Sequence, residues 1–199
     1  EAGRDVARLS AELAVLEAEA GIAEGATRIM AIATETAASL FGLGTYRGGS
    51  GRLAALAWGM EDLSTALAAS RTRTETGALT GPYDLARTLC LAGAHAAGVS
   101  PVDTVYTALR DEAGLAKTAA EAAADGFFGK MAIHPAQVPA INAAFTPSEA
   151  ALAEARAIVA AFDADPDAGV LSLDGRMIDR PHLENARRLI ARAAATRPG

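Results

Sequence analysis

An acidic residue follows each of two apolar segments that have the composition of strands. The segment TRIMAIA (27–33) leads to Glu35, and the segment LAALAW (53–58) leads to Asp62. In a parallel α/β architecture, the residues just past the strand C-termini converge on one rim, and the chemistry of such folds is found there. Mg²⁺ prefers oxygen ligands and usually takes one or two carboxylates, with water and substrate completing its coordination. The pattern therefore favours a magnesium site at Glu35 and Asp62.

Other interpretations of these acids remain open. Each acid would stand in the first turn of a helix, where the helix dipole favours a carboxylate without any metal. Glu61 directly precedes Asp62 and is the alternative ligand. The Gly-rich segment 42–51 lacks the GxGxxG spacing, so we interpret it as a flexible connector rather than a phosphate cradle.

Several other kinds of catalytic site find no support in the sequence. Cys90 stands among leucines in a predicted helix over 82–97, which indicates a core position rather than a nucleophile at a strand end. No GxSxG elbow is present to support Ser-His-Asp catalysis. The three histidines have no paired spacing, which argues against a zinc site.

Composition narrows the class of protein. The 199 residues carry a net charge of −6, and aromatic residues make up only 5%, which disfavours a nucleic-acid-binding surface. No apolar run reaches the roughly 18 residues of a transmembrane helix, and no signal peptide is recognisable, so no membrane partner is expected. A single cysteine cannot form an internal disulfide, which fits a cytoplasmic protein.

Strand and helix patterns alternate through the first part of the chain. After a helix over 4–20, strands are predicted at 27–33, 53–58, 102–106 and 127–133, with helices at 82–97 and 111–124. This α/β alternation predicts a parallel sheet or a barrel. Four strands alone would not close a barrel and would leave two open edges.

The pattern changes after Phe145. Thr146 with Glu149 resembles a capping box at the start of a helix, and a small hairpin over 170–178 is predicted to turn at Asp174-Gly175. A last amphipathic helix follows over 181–195. We therefore expect two domains, 1–145 and 146–199, the second acting as a lid or an oligomer arm.

Five segments resemble one family, the citrate lyase beta subunit-like (CitE-like) CoA-ester lyases of the HpcH/HpaI aldolase superfamily. They are AIATETAASL (31–40), LAALAWGMEDLS (53–64), PVDTVYTALRDEAGL (101–115), GFFGKMAIHPAQVPAINAAFTPS (126–148) and GRMIDRPHLENARRLI (175–190). The resemblance implies a TIM-type (β/α)₈ barrel, of which this chain would carry strands five to eight and a C-terminal extension that covers a neighbouring subunit's site. The first strands, with an arginine that contacts substrate and metal, would lie upstream of Glu1, so the chain would be part of a longer protein or a truncation.

The resemblance also implies roles for particular residues. Glu35 and Asp62 match the family's Mg²⁺ ligands, and Asp179 matches its catalytic acid/base. Asp179 could instead cap the helix that starts near Pro181. His134 and Pro135 would lie near the CoA-binding part of the rim, although a lone histidine more often orients its own loop.

The implied reaction is Mg²⁺-dependent cleavage or formation of a β-hydroxyacyl-CoA such as malyl-, citramalyl- or citryl-CoA. The partners would be a CoA ester and a 2-oxo acid, in a homo-oligomer that is usually a trimer. The alternatives are a thioesterase or malate-synthase-like activity, a CoA-independent 2-oxo acid aldolase, and a truncated non-catalytic partner.

Overall fold

The structure, a computed structural model, describes residues 2–195. It divides into two compact units, Glu1–Phe145 and Thr146–Gly199. Each unit has its own sheet and its own cluster of buried apolar side chains. Within the described residues, no helix combines the length and the apolar character needed to cross a membrane.

A parallel sheet forms the centre of the first unit. Its order along the sheet is also its order along the chain, with β1 at Ile29–Ile32, β2 at Leu53–Ala57, β3 at Ser100–Asp103 and β4 at Gly129–Lys130. Ile32 pairs with Ala57, Ala57 with Val102, and Asp103 with Lys130. This register places the C-terminal ends of neighbouring strands side by side, as a TIM-barrel rim requires.

Helices accompany these strands. They are α1 at Gly3–Ala20, α2 at Glu61–Ala66, α3 at Gly81–Ala97, α4 at Glu112–Asp125 and α5 at Val138–Phe145. Short 3₁₀ helices cover Ala38–Phe41, Leu43–Tyr46 and Pro135–Gln137. Gly21 and Gly98 end α1 and α3 with φ values of 66° and 70°, a left-handed conformation that favours glycine.

The buried side chains of this unit are mainly those of α3, α4 and the strands. Cys90 is completely buried in this cluster, which confirms its interpretation as a core residue. The ion pair between Arg52 and Glu17 is buried as well, at 2.6 Å, and Glu17 accepts backbone bonds from Gly25 and Thr27 at 2.8 and 2.7 Å. These bonds tie α1 to the loop that enters β1.

Three local predictions for the first unit need correction. β3 ends at Asp103 rather than at Tyr106, and β4 spans two residues rather than 127–133. The Gly-rich connector is not a loose loop, because Leu43 and Tyr46 are buried and Gly3 N–H donates to Thr45 Oγ1 at 2.9 Å. Turn composition identified the connector but could not reveal these distant contacts.

The second unit contains two helices and a hairpin. They are α6 at Glu149–Ala164, β5 at Val170–Leu173, β6 at Arg176–Asp179 and α7 at Arg180–Ala195. The hairpin turn is confirmed at Asp174-Gly175, whose φ values of 50° and 75° are both positive, as a type I′ turn requires. The predicted cap is wrong by two positions, because Ser148 rather than Thr146 accepts the N-terminal bond, from Ala151 N–H.

Candidate active site

Thr34 joins the ends of the first two strands. The backbone pairing of β1 with β2 ends where Ala33 N–H donates to Ala57 O at 2.7 Å. One residue later, the buried Thr34 hydroxyl donates to Gly59 O at 3.0 Å and accepts from Gly59 N–H at 2.9 Å. A side chain thereby continues the strand pairing into the turns that carry the two predicted acids.

Glu35 lies directly over the second of these turns. A Cβ atom placed on Gly59 would come within 3.8 Å of Glu35 Cγ and 3.1 Å of Ile32 Cγ2. Glu35 is exposed and precedes two short 3₁₀ helices, and Thr36 and Ser39 bond to each other at the start of the first. The helix-dipole interpretation is therefore weak for Glu35, because no α-helix starts there.

Asp62 stands in the first turn of α2. The helix is anchored by Leu63, which is completely buried, whereas Glu61 and Asp62 are exposed. A carboxylate at this position is favoured by the helix dipole and is equally available to a ligand. Residues 2–195 hold no group of three or more His, Cys, Asp or Glu arranged for a metal, so water or substrate would have to complete a site at Glu35 and Asp62.

A buried polar network lies at the ends of β2, β3 and β4. Asp103 accepts from Trp58 Nε1 at 2.6 Å and from Lys130 Nζ at 2.7 Å. Arg87, on α3, approaches the same carboxylate at 3.4 Å, binds Asp125 at 2.8 Å and covers the Phe127 ring at 4.7 Å. The network fixes the three strand ends to one another and to α3.

A polar cavity of about 360 Å³ adjoins this network. Its lining includes Arg73, Arg87, Asp103, Thr104 and Lys130. Glu35 and Asp62 do not line it.

Comparisons with known proteins identify the family of this chain. The family model described as "HpcH/HpaI aldolase/citrate lyase" matches residues 1–135, and that described as "C-C_Bond_Lyase of the TIM-Barrel fold" matches residues 80–196. The chain belongs to the HpcH/HpaI aldolase/citrate lyase family. The predicted family and fold class are thus confirmed.

Individual relatives extend the match across the chain. A (3S)-malyl-CoA thioesterase of Cereibacter sphaeroides is 38% identical over 72% of this chain and 50% of its own length. The citrate lyase subunit beta of Haemophilus influenzae is 32% identical over 97% of this chain and 65% of its own length. The chain spans about half the length of the first curated relatives that it matches, at 50% and 49%.

A solved structure shares the fold. The crystal structure of CitE from Mycobacterium tuberculosis in complex with magnesium, acetoacetate and coenzyme A is 30% identical, with a TM-score of 0.69. The similarity covers 90% of this chain and 72% of that one.

The turn at His134-Pro135 is stabilised by hydrogen bonds between its own residues. His134 Nδ1 accepts from Ala136 N–H at 3.1 Å, so the ring orients its own turn, and both His134 and Pro135 remain exposed. Buried Gln137 accepts from Ile133 N–H at 3.0 Å and donates to Tyr106 O at 2.8 Å. Gln137 thereby connects the turn after β4 to the loop after β3.

Asp179 lies in the second unit, at the end of β6. Its Oδ1 lies 2.5 Å from His182 Nδ1 and accepts from His182 N–H at 3.3 Å, which is the geometry of a helix cap. The hydrogen bond from His182 is the main reason why the pKa of Asp179 lies below its ordinary value. Asp179 is therefore ionised at neutral pH.

The sequence did not reveal the residues that hold these elements together. Thr34, Trp58, Lys130 and Gln137 are all buried and make the bonds described above. Polar residue types next to apolar strand segments were the available signal for Thr34 and Lys130. Their partners lie 25 and 27 positions away in sequence, and only the strand register identifies them.

Proposed function

We propose that the protein containing this chain is a Mg²⁺-dependent carbon–carbon lyase acting on a β-hydroxyacyl-CoA such as malyl-, citramalyl- or citryl-CoA. Cleavage would give an acyl-CoA and a 2-oxo acid, and the reverse reaction would join them. The observation that carries this proposal is the pairing of the Glu35 and Asp62 turns through Thr34 and Gly59. Membership of the family supports the reaction class.

Glu35 and Asp62 would hold the magnesium ion. Two exposed carboxylates on adjacent turns fit a cation that takes one or two carboxylates and leaves its other positions to water and substrate. Bound there, Mg²⁺ would supply Lewis-acid stabilisation of the negative charge that develops on substrate oxygens. Similar crystal structures of Mycobacterium tuberculosis proteins, one in complex with magnesium, acetoacetate and coenzyme A and one with oxaloacetate and magnesium, support this assignment.

Asp179 would move the proton at the α-carbon of the thioester. In the condensation direction it removes that proton as a general base, and in the cleavage direction it returns the proton to the enolate. The lowered pKa of Asp179 favours the base form that condensation requires. We infer that it acts at a neighbouring subunit of a trimer, as the resemblance to the family implies.

The remaining assignments concern binding and location. His134 and Pro135, exposed on the turn after β4, would contact the CoA part of the substrate. A cytoplasmic location is proposed because the chain has one cysteine, buried and unpaired.

Thioester hydrolysis is the second candidate activity. It is favoured by one observation, the 38% identity to a (3S)-malyl-CoA thioesterase. The products separate the two reactions, because hydrolysis of malyl-CoA releases malate and free CoA, whereas carbon–carbon cleavage releases glyoxylate and acetyl-CoA.

The test is an assay of malyl-CoA and citramalyl-CoA cleavage with Mg²⁺ or with a chelator. We expect 2-oxo acid release only with Mg²⁺, and loss of both turnover and Mn²⁺ binding in Glu35→Gln and Asp62→Asn. Glu61→Gln is the matched control, because it neutralises the neighbouring exposed acid. Unchanged turnover in Asp62→Asn would refute the metal assignment.

A second variant separates catalysis from capping at Asp179. Asparagine caps helices as well as aspartate does but cannot act as a base at neutral pH. We expect Asp179→Asn to keep the melting temperature of the parent and to lose turnover. Normal turnover in this variant would restrict Asp179 to its structural role.

A further inference from the structure

Thr34 connects the turn that carries Glu35 to the turn that leads to Asp62. Its hydroxyl donates to the C=O of Gly59 at 3.0 Å and accepts from the N–H of the same residue at 2.9 Å. Thr34 is completely buried, so water does not compete for these bonds. Glu35 is the next residue after Thr34, and Asp62 follows Gly59 by three positions.

Gly59 contributes to the same contact by lacking a side chain. The position that its Cβ would occupy lies 3.8 Å from Glu35 Cγ and 3.1 Å from Ile32 Cγ2. A Cβ atom there would press on Ile32 at the end of β1 and would be in ordinary van der Waals contact with Glu35, so the glycine lets the end of β1 approach the turn that leads to Asp62. Met60 O then accepts from Ser64 N–H at 2.9 Å, which ties the turn to α2.

We propose that Thr34 is a positioning residue that sets the spacing between Glu35 and Asp62 and thereby the affinity for the divalent cation. This inference rests on the proposed function, in which those two acids hold Mg²⁺. Neither carboxylate makes a side-chain bond of its own among the contacts of residues 2–195 described above, so the backbone of the two turns determines where each acid stands. The Thr34–Gly59 bonds connect those backbones beyond the end of the β1–β2 pairing.

The chain offers a matched control in Thr104. Like Thr34, Thr104 directly follows a strand of the same sheet and is buried, at 2% exposure. Its Oγ1 has no hydrogen-bond partner among the described residues. Replacing either threonine by valine removes a hydroxyl of the same size from a similar site, but only Thr34→Val removes bonds.

The experiment measures Mn²⁺ binding by electron paramagnetic resonance in the parent protein and in Thr34→Val, Thr34→Ser and Thr104→Val. Mn²⁺ replaces Mg²⁺ because both suit carboxylate and water ligands. Loss of a group that orients metal ligands typically costs about 10- to 100-fold in affinity, and we expect that loss for Thr34→Val. Thr34→Ser, which keeps the hydroxyl, should restore most of the affinity, and Thr104→Val should bind as the parent does.

Amide hydrogen exchange at Gly59 provides a readout without metal, and we expect faster exchange in Thr34→Val alone. If Thr34→Val does not fold, Thr34→Ala takes its place, because it also removes the hydroxyl that bonds to Gly59.

The outcomes distinguish this inference from the proposed function. If Glu35→Gln abolishes Mn²⁺ binding while folded Thr34→Val binds as tightly as the parent, the function stands and the role of Thr34 is refuted. A lower melting temperature with unchanged affinity also refutes it, since a purely structural threonine would behave in that way. If the parent protein does not bind Mn²⁺, the metal assignment and this inference both fail.

Discussion

The buried pair of Asp103 and Lys130 should show strong energetic coupling. Their side chains are only 5% and 3% exposed, and Nζ lies 2.7 Å from Oδ2. Removing one partner of a buried ion pair typically costs about 3–5 kcal/mol, because a charge is left without compensation. We expect Asp103→Asn to fall within this range, since Lys130 has no other hydrogen-bond partner among the described contacts.

Lys130→Met should cost less, about 3 kcal/mol, at the lower end of the same range. Asp103 would keep the Trp58 indole at 2.6 Å and the Arg87 guanidinium at 3.4 Å. The double variant, Asp103→Asn with Lys130→Met, contains neither charge of the pair. The carboxamide oxygen at position 103 can still accept from Trp58. Its cost should be about 1–3 kcal/mol, that of an imperfectly bonded buried amide.

Urea unfolding at 25 °C, followed by fluorescence, measures these free energies. Trp58 is the only tryptophan, is buried, and bonds to Asp103, so its emission reports on this unit. Lys117→Met is the control, because its 4.0 Å contact with Glu121 is exposed and should contribute less than about 0.5 kcal/mol. If the two single costs add to within about 0.5 kcal/mol in the double variant, the buried pair does not exist.

Three further outcomes follow from individual groups. Burial, and secondarily the charge of Asp103, raise the pKa of Cys90 to about 12, so iodoacetamide should label the thiol at pH 8 only in unfolded protein; labelling of the native state at the same rate would contradict its buried position. The Arg52 guanidinium holds the pKa of Glu17 far below its ordinary value, so stability from this group is complete above about pH 5 and is lost as the pH falls towards the folded-state pKa. Urea midpoints at pH 5 and pH 3 should therefore differ more in the parent than in Glu17→Gln, and equal differences would refute the assignment. The hydrogen bond from His182 lowers the pKa of Asp179, so His182→Leu should raise that pKa. The pH below which the condensation rate falls should then be higher than in the parent. An unchanged pH dependence would show that Asp179 is not the base.

Sequence patterns predicted much of this architecture because they depend on local chemistry. Apolar spacing placed α1 to within one residue of its observed start, and the Asp174-Gly175 pair identified the hairpin turn. The positions of Glu35 and Asp62 after β1 and β2 were also predictable, since each strand ends within one residue of the end of its apolar run. The proposed roles of these acids stay predictions.

Strand lengths and caps were less predictable. Residues 131–133 continue an apolar run, yet β4 stops at Lys130, because Met131 N–H donates to Asp103 O at 2.9 Å as the last link to β3 and the chain then turns. Likewise, Thr146 and Ser148 both have side chains that can cap a helix. The path of the chain, rather than residue type, makes Ser148 the cap of α6.

The hydroxyls of Thr34 and Thr104 illustrate what sequence patterns leave undetermined. Both follow strands, and both are buried, yet one makes two bonds to the neighbouring turn and the other makes none among the described residues. The difference depends on where the next strand's turn lies, since Gly59 presents both its N–H and its C=O to Thr34. A local sequence window contains only one side of such a contact.

The same reasoning applies to Asp103, whose charge is balanced by residues from β4 and α3 that lie 27 and 16 positions away. The residues that orient a rim of parallel strands therefore have to be read from the register of the strands, whereas the acids that the rim presents can be read from the ends of the strands alone.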